Sequence, residues 1–170
     1  MTGREFYRRD VLEVAPDLVG AALVRTLPEG GEKRLIITET EAYAGVCDTA
    51  CHASRGRTKR SEMLYHDGGT IFVYLCYGMY WMLNIVTGAE DEPQGVLIRA
   101  CEGAAGPGRL TRALGVDGSF NGLDILANPG LRLELPRSNV NITCGKRVGI
   151  DYAAPADRDR LWRFIMEKRE

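Results

Sequence analysis

The sequence lacks an excess of charge of either sign. Its 170 residues contain 22 Lys and Arg against 23 Asp and Glu, which gives a formal net charge of −1. A chain with this balance has no global field that would attract a nucleic acid, an anionic membrane or an acidic partner. If the protein binds a polyanion, a local group of cations must supply the attraction.

Cysteine and histidine are scarce, and their spacing is not that of a metal site. The chain has two histidines and five scattered cysteines, which are Cys47, Cys51, Cys76, Cys101 and Cys144. An odd number of cysteines at low density does not fit a secreted disulfide scaffold, and the paired spacing of zinc ligands is missing. We therefore predict no metal site and a reducing compartment.

Long apolar runs are also missing. The first residues, MTGREFYRRD, contain no apolar segment of a signal peptide. The longest apolar run, 71-IFVYLCYGMYWMLNIV-86, is too short to span a membrane and contains Gly78 and Asn84. With no repeat and no break in composition, we expect one domain over residues 1–170. We expect it in the cytoplasm, at the nucleoid if the cell is prokaryotic, and neither secreted nor bound to a membrane.

The residue patterns that are present predict an α+β fold. Strand-like patterns occupy residues 21–27, 34–43, 71–77, 79–86, 96–100, 131–135 and 162–166. Short helices are expected after Asp10, after Pro107 and after Pro155. We predict a curved, mostly antiparallel sheet of the open-barrel or roll type, with three or four short helices and a protruding β-hairpin.

The strand 34-RLIITETEAY-43 carries the first candidate for chemistry. As a regular strand it places on one face Leu35, Ile37, Glu39, Glu41 and Tyr43. Apolar surroundings would raise the pKa of Glu41 toward that of a general base, although a solvated acid at a strand end is the commoner case. Glu39 and Glu41 are also separated by roughly 7 Å along a strand, a spacing that leaves carbohydrate hydrolysis open as an alternative function.

Gly78 separates two strand-like runs and predicts a chain reversal at Tyr77-Gly78 or Gly78-Met79. Tyr77 then lies at or beside the tip, where its ring contributes little to folding. A ring in that position is suited to enter between stacked bases and open a duplex. Tyr43, His52 and Tyr74 could then stack on a base turned out of the helix, although a lone histidine is more often an ordinary loop residue.

A long polar loop at residues 44–69 precedes the hairpin, and loops of this length are uncommon unless they have a function. Its segment 55-RGRTKR-60 contains four cations in six residues. Such a run is usually a solvated surface, but it can also contact phosphates. The candidate DNA contacts here are Arg55, Arg57, Thr58, Lys59 and Arg60.

Six motifs in a fixed order resemble a known family. They are ETEAY (39–43), CHASRGRT (51–58), VYLCYGMYWMLN (73–84), LIRA (97–100), GPGRLTRALG (106–115) and KRVGIDY (146–152). From about residue 5 to the C-terminus, the chain resembles the alkyladenine DNA glycosylases, also called 3-methyladenine DNA glycosylases of the mammalian type. ETEAY alone is a weak signal, whereas its combination with the histidine-arginine loop and the YGMY hairpin is specific.

The resemblance implies a monofunctional enzyme of base excision repair that acts as a monomer on double-stranded DNA. It would flip out alkylated or deaminated purines and hydrolyse their N-glycosidic bonds. Implied substrates are 3-methyladenine, 7-methylguanine, hypoxanthine and, where the pocket admits it, ethenoadenine. The family requires no metal or organic cofactor, and no lysine here matches a nucleophile that would form a Schiff base.

The same resemblance implies a role for individual residues. Glu41 corresponds to the general base, and Arg99 and the backbone carbonyl of Val148 correspond to groups that hold the attacking water. Tyr43, His52 and Tyr74 correspond to the walls of the base pocket, and Asn84 to the side chain that rejects normal guanine. Tyr77 corresponds to the intercalating residue, with Met79 beside it on the DNA. A noncatalytic module that recognises distorted DNA through this hairpin remains an alternative.

Overall fold

The computed structural model describes residues 3–167 and has an α+β fold built on nine strands. The strands are β1 (Ala22–Thr26), β2 (Glu32–Tyr43), β3 (Ile71–Cys76), β4 (Tyr80–Thr87), β5 (Gln94–Cys101), β6 (Ala104–Ala105), β7 (Leu131–Glu134), β8 (Ile142–Gly145) and β9 (Arg163–Met166). The helices are α1 (Arg4–Tyr7), α2 (Val11–Asp17), α3 (Pro107–Leu114) and α4 (Pro155–Arg158). None of these helices is long and apolar enough to cross a membrane.

The sheet is antiparallel throughout and its main path runs β3-β4-β5-β2-β1-β7. Strand β2 pairs with three other strands: its first half pairs with β1, and its second half pairs with both β5 and β9. Within residues 3–167 the path ends at β3 and β7, so the sheet does not close into a barrel. The predicted α+β class with a mostly antiparallel open sheet is confirmed.

Strand β2 is irregular at its centre, and this changes which side chains face the core. Leu35 and Ile37 pack in the core, but after the register shifts between Ile37 and Thr40 the core-facing positions are Thr40 and Ala42. The Thr40 hydroxyl donates to a carbonyl of α2 at 2.7 Å. A bulge inserts one residue and reverses the alternation of side chains. The prediction that Glu41 shares a face with Leu35 and Ile37 is therefore wrong, and Glu41 points away from that core.

The hairpin between β3 and β4 reverses at Tyr77-Gly78, the first of the two predicted positions. Cys76 pairs with Tyr80, and the Met79 amide donates to the Cys76 carbonyl at 3.1 Å. Both central residues have positive φ, 52° at Tyr77 and 66° at Gly78. Glycine adopts this conformation without cost, but for a bulky aromatic residue it is an outlier that points to a constraint other than folding.

The remaining differences concern short elements. Strands β6 and β8 were not predicted, and the segment 44–69 contains three single 3₁₀ turns, at Gly45–Cys47, His52–Arg55 and Glu62–Tyr65. These turns give the loop a fixed path beside β3 and β4. Helix α3 matches its prediction, with Pro107 in its first turn and Gly115 as a left-handed cap at φ 63°.

Candidate active site

A cavity of about 950 Å³ lies between the hairpin, the turn His52–Arg55, the start of α3 and the loop at 148–152. This volume is within the range of small-molecule sites. The predicted site residues on its wall are Tyr43, His52, Arg55, Thr58, Arg60, Tyr74, Tyr77, Asn84, Arg99 and Val148. The fold thus brings into one cavity residues that are more than a hundred positions apart in the chain.

Glu41 lies directly behind this wall, with no exposed surface. Its Oε1 accepts a hydrogen bond from the Val148 amide at 2.9 Å, and its Oε2 accepts one from the Tyr43 hydroxyl at 2.8 Å. The Arg99 Nε is 3.4 Å from Oε1. Tyr43, Arg99 and Val148 all line the cavity, so the carboxyl is separated from it by the thickness of one side chain.

Burial and polar contacts act on the Glu41 carboxyl in opposite directions. Burial disfavours the ionised form and raises the pKa of Glu41, and this is the largest effect. The Val148 amide, Arg99 and the Tyr43 hydroxyl oppose it by stabilising the carboxylate. A carboxyl with raised pKa and fixed hydrogen bonds beside a cavity is the usual arrangement of a general base. For Val148 it is the amide that meets Glu41, whereas the family resemblance assigned a role to its carbonyl.

Glu39 occupies a different position from Glu41. It is about a quarter exposed and is held by Arg163, whose Nη1 lies 3.5 Å from its Oε2. Arg99 Nε is also 4.0 Å from this oxygen, so Arg99 bridges the two acids of β2. Glu39 is not on the cavity wall. Its geometry is therefore that of a support for Arg99 rather than that of a second catalytic carboxyl.

Aromatic rings form one side of the cavity. The His52 and Tyr74 rings have centroids 4.6 Å apart with an interplanar angle of 62°, and Phe72 lies 5.2 Å from Tyr74. Burial, with a smaller contribution from Arg60, lowers the pKa of His52 to about 4. The imidazole is therefore neutral at physiological pH, and the ring wall carries no positive charge of its own.

Asn84 is almost fully buried in the floor of the cavity. Its side-chain nitrogen donates to the carbonyls of Phe72 and Met82, each at 3.2 Å. Both carbonyls belong to the two strands of the hairpin, so the amide is held in a fixed orientation. A rigid side chain at this depth limits the space available on the cavity floor.

The hairpin tip presents apolar side chains to solvent. Tyr77 is 85% exposed and Met79 is 65% exposed. Tyr77 also borders the cavity mouth, whereas Met79 does not. Large exposed apolar groups at a fixed turn indicate a contact surface rather than a part of the core.

Among residues 3–167, some cations of the basic loop have an acidic partner and others do not. Arg57 bonds to Glu62 through two nitrogens, at 2.9 and 2.8 Å, and to Asp91 at 2.8 Å. Arg55 and Arg60 line the cavity mouth, and Lys59 is exposed nearby. The Thr58 amide donates to Ser61 and thereby fixes the loop. Arg57 has its charge compensated within the protein, and it is the weakest candidate for a phosphate contact.

Residue patterns did not identify several members of the site. Phe72 and Tyr152 line the cavity, and the buried pair Arg147–Asp48 lies behind Tyr43. Arg147 stands in KRVGIDY, one of the motifs of the family resemblance, so that motif was the available signal. Within residues 3–167, no three His, Cys, Asp or Glu side chains are grouped to hold a metal ion, and all five cysteines are free.

The fold and the site together define a class: an α+β protein with an aromatic-lined cavity beside a buried acid. The sequence model of one family, described as methylpurine-DNA glycosylase, matches residues 5–105 and 102–170. The chain belongs to this family of DNA glycosylases, and the resemblance found in the sequence is confirmed.

Three curated relatives are similar over nearly their whole length. A protein of Borreliella afzelii is 40% identical over 179 residues, which cover 96% of this chain and 95% of the relative. One of Methanocella arvoryzae is 42% identical over 181 residues, covering 95% and 90%, and one of Desulfitobacterium hafniense is 40% identical over 193 residues, covering 97% and 94%. Each carries the name "Putative 3-methyladenine DNA glycosylase".

Proposed function

We propose that this protein is a monofunctional DNA glycosylase that hydrolyses the N-glycosidic bond of a damaged purine flipped out of double-stranded DNA. The proposed substrates are 3-methyladenine, 7-methylguanine and hypoxanthine, with ethenoadenine as a bulkier candidate. The observation that carries the proposal is the Glu41 carboxyl, buried behind an aromatic cavity and in contact with three residues of its wall. The name shared by the relatives supports 3-methyladenine as a substrate.

The cavity suits a cationic purine. An alkylated purine such as 3-methyladenine carries a positive charge, which is attracted to the faces of aromatic rings. Tyr43 and Tyr74 supply such faces, and the lowered pKa of His52 keeps its ring neutral, so it does not repel the base. The fixed side chain of Asn84 limits the space for substituents on the purine ring.

The reaction breaks the bond between C1′ of the sugar and the purine nitrogen and forms a bond between C1′ and a water oxygen. A cationic base leaves with the bonding electron pair and becomes neutral, whereas hypoxanthine, which is neutral when bound to the sugar, also takes up a proton from solvent as it leaves. An ionised Glu41 stabilises the positive charge that develops on the sugar and accepts a proton from the water. In this proposal the wall formed by Tyr43, Arg99 and Val148, the three residues that contact the carboxyl, opens to admit the water.

The hairpin opens the duplex in this proposal. Tyr77 enters the space left by the flipped nucleotide, with Met79 beside it against the neighbouring bases. Arg55 and Arg60 at the cavity mouth contact phosphates of the damaged strand, and Lys59 adds local positive charge. We propose that the protein acts on DNA as a monomer.

The test is base release from a duplex that contains one hypoxanthine, detected by alkaline cleavage at the abasic site, together with release of 3-methyladenine from methylated DNA. We expect release by the wild type and a loss of about 1,000-fold or more for Glu41→Gln, since general-base catalysis contributes about 100- to 10,000-fold and electrostatic stabilisation about 100- to 1,000-fold. Glu39→Gln is the matched control on the same strand, and its loss should stay below about tenfold because Glu39 is not on the wall.

The outcomes separate the alternatives. Lesion-specific binding without base release would support a noncatalytic binding module and refute the enzyme. Equal losses for Glu39→Gln and Glu41→Gln would support a two-carboxylate hydrolase, which is disfavoured by the contact of Glu39 with Arg163.

A further inference from the structure

A buried arginine lies behind the wall of the candidate active site. The side chain of Arg147 has no exposed surface, and its guanidinium forms a bidentate pair with Asp48, at 2.5 Å to Oδ2 and 2.9 Å to Oδ1. It also donates to the backbone carbonyls of Ala42 at 2.9 Å and Asp157 at 3.1 Å. Planar bidentate pairs of this kind fix the direction of both partners.

Arg147 supports Tyr43 from behind. Its guanidinium carbon is 4.8 Å from the centroid of the Tyr43 ring and 5.0 Å from that of the Trp162 ring. Tyr43 lines the cavity and Arg147 does not, so the arginine contacts the face of the ring turned away from the cavity. The arginine thus contacts two aromatic rings.

Arg147 also fixes the start of the loop that follows it. The next residue, Val148, donates its backbone amide to Glu41, and Gly149 then turns the chain with φ 73°. Asp48 belongs to the same unit, because it accepts bonds from the Ala44 and Ala50 amides at 3.0 and 3.1 Å. The ion pair therefore joins the end of β2, the 44–50 segment and the loop at 148.

These contacts converge on one group. The Glu41 carboxyl accepts hydrogen bonds from the Tyr43 hydroxyl and from the Val148 amide. Arg147 stacks on the first donor and is covalently adjacent to the second. We infer that Arg147, oriented by Asp48, is a positioning residue that holds both hydrogen-bond donors of Glu41 from behind the cavity wall. This inference rests on the proposed function, in which Glu41 is the general base.

The test compares the single-turnover rate of base release with the affinity for a lesion duplex. The variants are Arg147→Met, Arg147→Lys and the double variant Arg147→Met with Asp48→Leu. A displacement of about 1 Å at a reacting group costs about 100-fold in rate. We expect the Arg147→Met rate to fall about 100-fold and the Arg147→Lys rate to recover part of this, since lysine keeps the charge but not the bidentate geometry.

Affinity should change much less than rate. Most of the proposed DNA contacts lie on the hairpin and the basic loop, so we expect the Kd for lesion duplex, measured in a Glu41→Gln background, to change less than about threefold. Arg132→Met is the matched control, because Arg132 also forms salt bridges, with Glu32 and Glu134, but its side chain is 41% exposed on β7 and is not on the cavity wall. Its rate and Kd should equal those of the wild type.

The double variant is a control for loss of folding in Arg147→Met. Removing one partner of a buried ion pair is destabilising, whereas replacing both by apolar residues is often tolerated. Circular dichroism melts establish which variants are folded at the assay temperature. Folded Arg147 variants that keep the wild-type rate within about threefold, or that lose affinity in proportion to rate, would overturn the inference. A wild type that releases no base would refute the proposed function instead.

Discussion

Replacing Tyr77 separates the contribution of this side chain to folding from its contribution to DNA binding. The residue is 85% exposed, so its ring buries little surface on folding. It is also held at φ 52°, where a residue with a Cβ is strained by roughly 1–2 kcal/mol. In Tyr77→Asn the turn becomes Asn-Gly, the pair most favoured where both central residues have positive φ. We expect a gain in stability of about 1 kcal/mol, or a rise in Tm of about 2–4 °C.

The affinity for lesion duplex should fall in Tyr77→Asn, although its stability should rise. Stacking of an aromatic ring on bases contributes about 1–3 kcal/mol, which is about a 5- to 150-fold change in Kd. We expect Tyr77→Asn and Tyr77→Ala to lose affinity for lesion duplex by a factor in this range. Tyr77→Phe and Tyr77→Trp, which keep a ring, should remain within about threefold of the wild type.

The assay is fluorescence anisotropy with a duplex that contains one hypoxanthine and with the same duplex without it. All variants carry Glu41→Gln, so the lesion remains intact during titration. Thermal melts of the same proteins give the stability. If Tyr77→Asn bound lesion duplex as tightly as the parent, the reasoning about the hairpin would be refuted. A large fall in its Tm would equally contradict the assignment of the ring to a contact surface.

Three further predictions concern charge. The stability of Glu41→Gln relative to the wild type should rise as the pH increases from 4.5 to neutral. The reason is that burial raises the pKa of Glu41, so the unfolded chain ionises first and ionisation opposes folding at higher pH. Arg60→Gln should reduce the salt dependence of DNA binding by about one counterion, whereas Arg57→Gln, which removes a compensated cation, should not. The wild type should lose up to about 3 kcal/mol relative to His52→Gln as the pH falls from 6.5 to 4, because the pKa of His52 is lowered to about 4 and the unfolded chain takes up the proton first.

Each of these three predictions can be measured directly, and for each measurement one outcome would contradict the prediction. Denaturant titrations from pH 4 to 8 report both stability predictions, and a pH-independent difference for either variant would contradict the assigned direction of its pKa. Anisotropy at several salt concentrations gives the slope for each arginine variant. A larger change for Arg57→Gln than for Arg60→Gln would show that the ion pairs with Glu62 and Asp91 open on DNA.

Local sequence patterns were sufficient for the elements that are long or bounded by a clear turn. The hairpin around Gly78 and helix α3 after Pro107 follow directly from such signals. Strand β8 was missed because none of its four residues is buried and their exposure does not alternate. The bulge in β2 was missed because no residue type in 34–43 marks it. It is fixed by the pairing of β2 with β5 and β9, which are distant in the chain.

Local sequence patterns were also insufficient to identify the contacts of the active site. The roles of Glu41, Arg99 and Val148 came from the family resemblance, because their contact joins β2 to β5 and to a loop 107 residues away. No periodicity connects such positions. Arg147 illustrates the point further: a charged residue in a glycine-containing loop is expected to be solvated, yet its partners Asp48 and Tyr43 bury it completely. Burial of charge is decided by tertiary pairing, which a local pattern does not contain.

Residues that violate the local sequence preferences also indicate the position of the functional site. Tyr77 is an exposed aromatic residue in a conformation suited to glycine, and Glu41 is an acid with no solvent contact. Each arrangement costs folding free energy, and sequences usually violate the local rules at functional or strained sites. The two costs have different physical origins, backbone strain in one case and desolvation of a carboxyl in the other. Both positions nevertheless adjoin one cavity, Tyr77 at its mouth and Glu41 behind its wall, and this convergence is hard to explain by folding alone.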